Sequence, residues 1–182
     1  LPQHLTLSAI PDRVTAMQTA FPRSPGKRLR LGVHISASEP SRQWPISAFA
    51  QLINAIAVEH PDVAFLVFYG HGQTASRQAL ADALQTPVTF VPPGDIDDLM
   101  ASLPLCDLLV CNDGGVLHLA AGLGVPIVGL FEGNPMKTGC WYPWGVAYTS
   151  VSAPEGAAVA EIEPSAVYEA TSRMIRSLSP TL

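Results

Sequence analysis

Leu108-Leu109-Val110-Cys111-Asn112-Asp113-Gly114-Gly115-Val116-Leu117-His118-Leu119-Ala120-Ala121 is the stretch on which the reading of the fold turns. Its apolar start reads as a strand buried on both faces, the condition of a parallel sheet covered by helices. The strand runs into Asn112 and Asp113, either of which can cap a helix. Two glycines follow, whose backbone N–H groups stand bare at the positive end of that helix. A diphosphate fits such a turn. His118 lies one helical turn in, on the face of Gly114 or Gly115, where an imidazole can donate to a phosphate oxygen. Taken singly, Asp113 reads as a cap and His118 as a hydrogen-bonded core histidine. Together with the helix stop Gly124-Val125-Pro126 and the buried run after it, they read as an anion site.

Outward from this turn, short apolar runs alternate with helical patterns from Arg30 onward, the signature of βαβ units. Strands are expected at Arg30–Ile35, Val63–Tyr69, Val88–Val91, Asp107–Cys111 and Ile127–Phe131. Helices are expected at Pro45–Glu59, Thr74–Leu84, Ile96–Ser102, Gly115–Leu123 and from Pro164 to about Leu178. In the first of these Ile46, Phe49, Leu52, Ile53 and Ile56 share one face, and Pro45 suits a first turn. Asp95, Asp97 and Asp98 sit where a helix dipole favours carboxylates. The expected class is α/β, a Rossmann-like, mainly parallel sheet flanked by helices over residues 30–182. Residues 1–29 read as a linker carrying one short helical pattern, Pro11–Thr19.

The 182 residues are 48% hydrophobic and 14% charged, enough to bury one full core. A net charge of -5 gives no general attraction to phosphate backbones, which argues against nucleic acid or an anionic membrane surface as partner. Any phosphate must be held locally. The apolar runs Val63–Phe68 and Ile127–Phe131 are far shorter than the roughly 20 residues of a spanning helix. Cys106, Cys111 and Cys140 lack C-x-x-C spacing, and the reading is of reduced packing residues in a cytoplasmic protein, with no metal site. The chain begins at Leu1 without a charged n-region and apolar h-region, so no secretory leader is expected, and a start in mid-sequence reads as a piece of a longer protein.

In an open parallel sheet the strand-to-helix loops are where ligands bind. The loop after the first strand, His34-Ile35-Ser36-Ala37-Ser38-Glu39-Pro40-Ser41-Arg42-Gln43-Trp44-Pro45, offers hydroxyls and a guanidinium. A cation at a helix start is disfavoured by the dipole, so Arg42 calls for a reason. Trp44 reads as a packing anchor. The loop Tyr69-Gly70-His71-Gly72-Gln73 would let a nucleoside approach the backbone at Gly70.

Asn112-Asp113-Gly114-Gly115-Val116-Leu117-His118-Leu119-Ala120-Ala121, then Leu123-Gly124-Val125-Pro126, resembles the central motif S/N-D-[ST]-G-x-x-H-[LI]-A-A-[AG]-x-G-x-P of the bacterial heptosyltransferases of glycosyltransferase family nine. The family has Ser or Thr where Gly114 stands, a departure that removes a hydroxyl and keeps the backbone donor. The loop after the first strand is similar to the family's H-x-[GST]-[AST]-x(n)-K-x-W-P stretch, with Ser36 and Ser38 in the hydroxyl role and Arg42 in that of the lysine. Phe131-Glu132-Gly133-Asn134-Pro135-Met136-Lys137 and Trp141-Tyr142-Pro143-Trp144-Gly145 partly match a further family segment, with Glu132 and Lys137 as sugar or ribose contacts. The acidic ribose ligand common after the second strand is missing, leaving Gln73 or His71 in its place.

The resemblance implies the C-terminal, donor-binding half of a two-domain GT-B enzyme. It would catalyse an inverting, metal-independent transfer from an ADP-heptose-like donor in lipopolysaccharide core synthesis. It places the donor on Ser36, Ser38, Arg42, Gly70, Asp113, Gly114, Gly115, His118 and Glu132, with Arg42 and His118 stabilising the leaving group. No cofactor beyond the nucleotide sugar is implied. The base and the contacts to a glycolipid acceptor would come from the other domain, so no catalytic base is expected in this chain. The whole protein is expected in the cytoplasm, peripheral to the inner membrane. Two rivals stand beside this reading. One is a non-catalytic nucleotide-binding module, favoured by Gly114 and Glu132; the other is a sugar-nucleotide epimerase, which would need further carboxylates.

Overall fold

The structure is a computed structural model that describes residues 6–178, with the side chains of Lys137 and Thr138 outside the described set. Its centre is a six-stranded sheet of β1 (Leu29–His34), β2 (Val63–Phe68), β3 (Thr89–Val91), β4 (Leu108–Asn112), β5 (Ile127–Phe131) and β6 (Tyr148–Ser152). The order is β3-β2-β1-β4-β5-β6, and every neighbouring pair is parallel. The chain therefore walks outward from β1 in one direction and outward from β4 in the other, which opens a crevice at the carboxyl ends of those two central strands.

Side-chain alternation along the strands divides the core into two layers. Val33, Phe65, Val67, Leu108, Val110, Val128 and Leu130 face α2 (Ile46–Glu59) and α7 (Pro164–Ser177). Leu66, Phe68, Leu109, Cys111, Ile127 and Phe131 share the opposite layer with Leu117, Ala120 and Ala121 of α5 (Gly115–Gly122). The expected face of α2 is the buried one, with Phe49, Leu52, Ile53 and Ile56 inside; Pro45 is the residue before the first turn and not its first member.

The helix stop falls where the glycine predicts it. Gly124 takes φ +80°, its N–H donates to Ala121 O at 3.0 Å, and Val125 N–H donates to Ala120 O at 2.9 Å. These two hydrogen bonds close the end of α5 and return the chain to β5. At α4 (Ile96–Ser102) the cap is Asp95, which exchanges side-chain and backbone bonds with Asp98 in a capping box.

Two elements escape the apolar-run criterion. β6 reads Tyr-Thr-Ser-Val-Ser, is half-exposed, and pairs only with β5 at the sheet edge. An edge strand needs no continuous apolar run, so sequence periodicity misses it. The six-residue helix α6 (Pro135–Cys140) is too short to show a period. Residues 1–29, read as a linker, carry α1 (Pro11–Ala20), which lies on α4: Arg13 bonds Asp95 at 2.6 Å and Asp98 at 2.7 Å, and Met17 and Phe21 pack on the second core layer. Arg23 holds Asp107 with two bonds. α3 (Thr74–Ala83) completes the helices.

Candidate functional site

The loops after β1 and β4 meet at the crevice, held there by side chains spent on backbone. Asn112 at the end of β4 donates from Nδ2 to Ser36 O and accepts from Trp44 N–H at Oδ1, both at 3.2 Å. Gln43 Nε2 donates to Ile35 O at 2.8 Å and to Trp44 O at 2.7 Å. Trp44 is fully buried, meets Phe49 edge-on at 4.9 Å, and its indole N–H donates to Ile162 O at 2.9 Å. It anchors the loop as expected and offers no face for stacking.

On this frame the N-terminus of α5 opens into two adjoining cavities. One of about 380 Å³ is bordered by Ser36, Ser38, Gly70, Gln73 and the turn Asp113, Gly114, Gly115. The other, about 290 Å³, is formed by Arg42, the same turn, His118 and Trp141. Among the described residues the N–H groups of Gly114, Gly115 and Val116 make no hydrogen bond. They point from the positive end of a helix, which favours an anion. Arg42, mostly buried in the second cavity, has its Nε–H without a partner, and its nearest carboxylate, Glu39, stands 4.0 Å away. A buried guanidinium N–H without an acceptor is costly to leave unmade, and an anion at α5 would satisfy it.

Several expectations are changed by the geometry. Asp113 does not cap α5: the cap position is Gly114, in extended backbone, and no side chain caps the helix. The turn puts Asp113 N–H on Leu130 O at 2.8 Å, one residue ahead of the cap position. The hydroxyl of Ser36 is already committed, donating to Gln73 Oε1 at 2.8 Å and accepting from Gly70 N–H at 2.7 Å. It braces the β1 loop against the β2 loop, whereas Ser38 is exposed. His118 is exposed, its ring 6.1 Å from that of Trp141, so it is not a core histidine. Glu132 lies apart, in a cavity of about 480 Å³ with Ser41, Asn134 and Glu155. His71 borders the larger cavity with its ring Nε2 3.0 Å from Gly94 O, and Gln73 Oε1 accepts from Ser36 at 2.8 Å. Lys137 falls in α6, its side chain outside the described set.

His34 ends β1 beneath this floor. Burial lowers its pKa to about 4, against a smaller opposing effect of its bond with the Ser36 backbone, so the ring is neutral near pH 7. It borders both the larger cavity and a further pocket of about 220 Å³ that reaches Met17, Phe68 and Leu99. Burial pushes the thiols of Cys106 and Cys111 well above the usual cysteine range, which leaves them as packing residues. Among the described residues no group of three His, Cys, Asp or Glu side chains is arranged to hold a metal, and no helix is long and apolar enough to cross a membrane.

Residues 1–168 match glycosyltransferase family 9, the heptosyltransferases. The chain belongs to this family. It is 25% identical over 109 residues to lipopolysaccharide heptosyltransferase 1 of Campylobacter coli, covering 57% of this chain and 31% of that protein. Among solved structures, a family 9 glycosyltransferase from Veillonella parvula superposes with a TM-score of 0.81 at 18% identity, covering 96% of this chain and 55% of the other. The ADP-heptose lipopolysaccharide heptosyltransferase II of E. coli gives a TM-score of 0.76 at 20% identity, covering 97% and 56%. The family 9 chain thus spans little more than half the length of these two structures. Its six parallel strands between helices are the Rossmann-like sheet expected of one half of a GT-B fold.

Proposed function

We propose that this family 9 chain is the donor-binding half of an inverting, metal-independent heptosyltransferase, and that it holds the diphosphate of an ADP-heptose-like donor at the N-terminus of α5. One observation carries the reading: unpaired N–H groups of Gly114 and Gly115 and the unpartnered Nε–H of Arg42 border one cavity at the switch point of the sheet. The nucleoside lies toward Gly70 and Gln73, where the larger cavity continues into the pocket beside His34, and the sugar lies toward Arg42 and His118.

In transfer, an acceptor oxygen bonds to the anomeric carbon as the bond to the diphosphate breaks, and the electron pair passes to the leaving phosphate oxygen. Charge grows there, so donors fixed in advance around that oxygen favour the transition state over the bound substrate. The α5 amides, Arg42 and His118 do that work here, the charge neutralisation that a divalent cation would otherwise supply. The base that accepts the hydroxyl proton lies outside this chain.

Calorimetric titration with ADP tests the site. Arg42→Ala is expected to weaken binding by about 1.5–3 kcal/mol, tenfold or more, and His118→Ala by about 1 kcal/mol. Unchanged affinity in both variants would remove the diphosphate from this cavity. Transfer from ADP-heptose to a lipopolysaccharide acceptor by this chain alone, at the rate of a complete enzyme, would overturn the assignment of the base.

A further inference from the structure

Beyond His118 and Trp141 the donor cavity continues into a groove of about 290 Å³ bordered by Leu7, Ala121, Tyr142 and Trp144. Among the described residues no carboxylate, ammonium or guanidinium borders it. Trp141 is 58% exposed, Trp144 53% and Tyr148 41%, a concentration of open aromatic surface that marks an interaction site. The rings are ordered by one another. Tyr142 lies between Trp144 and Tyr148, with centroids at 6.0 and 5.9 Å and planes 24° and 18° apart, while Trp141 meets His118 edge-on. A flat platform fixed before the ligand arrives loses little entropy on binding.

We infer that this aromatic groove binds a saccharide ring of the acceptor, presenting it to the donor held at α5. A pyranose offers a face of C–H groups rimmed by hydroxyls, which suits an exposed indole or phenol face with water at its edge. The shared residues set the order of the cavities. The nucleoside cleft and the central cavity have Asp113, Gly114 and Gly115 in common, and the central cavity and the groove have His118 and Trp141 in common. A ring in the groove therefore lies on the far side of the transferred sugar from the nucleoside, the side from which an acceptor approaches. An anionic lipid surface would call for cations, and none stands among the described residues of the groove. The assignment rests on the donor reading above, and it gives this half of the enzyme a part in acceptor recognition that its family motif does not imply.

The chain has three tryptophans, Trp44, Trp141 and Trp144, and only Trp44 is buried, so their indole N–H signals in ¹⁵N NMR form a probe with an internal control. With ADP present, a delipidated lipopolysaccharide core oligosaccharide is expected to shift the Trp141 and Trp144 signals and leave Trp44 in place. Trp144→Ala is expected to weaken oligosaccharide binding at least tenfold, Trp144→Phe to restore most of it, and both to keep ADP affinity within twofold with an unmoved Trp44 signal. Oligosaccharide that moves neither exposed indole in a sample that binds ADP overturns the inference and leaves the donor reading standing. A sample that fails to bind ADP overturns the donor reading and this one with it. A Trp144 shift produced by ADP-heptose beyond that of ADP assigns the groove to the donor sugar instead, and shifts that follow protein concentration alone assign it to a second copy; either outcome overturns the inference.

Discussion

On the β1 and β2 side of the α5 N-terminus the polar groups are spent on one another, whereas toward Trp141 the Nε–H of Arg42 is left open. Ser36, Gln73, Asn112 and Gln43 all bond within the fold, and His34 is buried neutral. A short distance away Arg42 Nε has no partner, His118 is exposed and two indoles face solvent. The first side is a scaffold, whose defects should be read in stability. The second is incomplete without a ligand, and its defects should be read in affinity.

The largest effect expected is on the scaffold. Trp44→Ala removes a fully buried indole together with its bond to Ile162 and should cost about 3–5 kcal/mol, seen as a lowered denaturation midpoint in urea. A loss under about 1 kcal/mol would show that the β1 loop does not depend on this anchor. Next comes the pH dependence set by His34. The unfolded imidazole takes a proton near its ordinary pKa of 6.5 and the native one only near 4, so between those values the unfolded chain binds more protons. Stability is full above pH 6.5 and falls as the pH drops toward 4, by about 3 kcal/mol from this group. His34→Leu should flatten that part of the urea-midpoint profile, and an equally steep profile would assign the effect to other groups. The smallest effect lies on the open side. A Cβ at Gly114 meets nothing within 4 Å and the backbone there is extended, so Gly114→Ser fits without strain and returns the hydroxyl of the family motif. ADP affinity should rise by about 1 kcal/mol with the denaturation midpoint unchanged, and a fall in affinity would mean that the diphosphate passes closer to this backbone than proposed.

The core strands and the α5 turn were legible because each is written locally, in an apolar run or in a glycine at a helix end. β6 was not, since its Thr and Ser residues take their place only from pairing with β5. The same division holds in the site. That Arg42 and the Gly114-Gly115 turn share a cavity follows from motifs and topology together. That Ser36 bonds to Gln73 and Gly70, or that Asp113 N–H bonds to Leu130 O, depends on which groups the loops happen to bring within reach, 34 to 37 residues apart in the case of Ser36. The Trp141-Tyr142-Pro143-Trp144 segment was visible only as a partial match to a family segment. Its rings form a groove only because α5 and Leu7 supply the other wall.

The pairing of β1 with β4 also has a bearing on how the protein acquires its site. Leu31 lies against Leu108 and Val33 against Val110, partners separated by the whole of the first three helical crossovers. Parallel contacts of such long range close slowly, because the loop entropy is spent before the contacts repay it. The crevice comes into being only when that central seam has zipped. A bound nucleotide is for this chain a reporter of the finished sheet, and ligand present during refolding should pull on the last step of assembly and leave the first untouched.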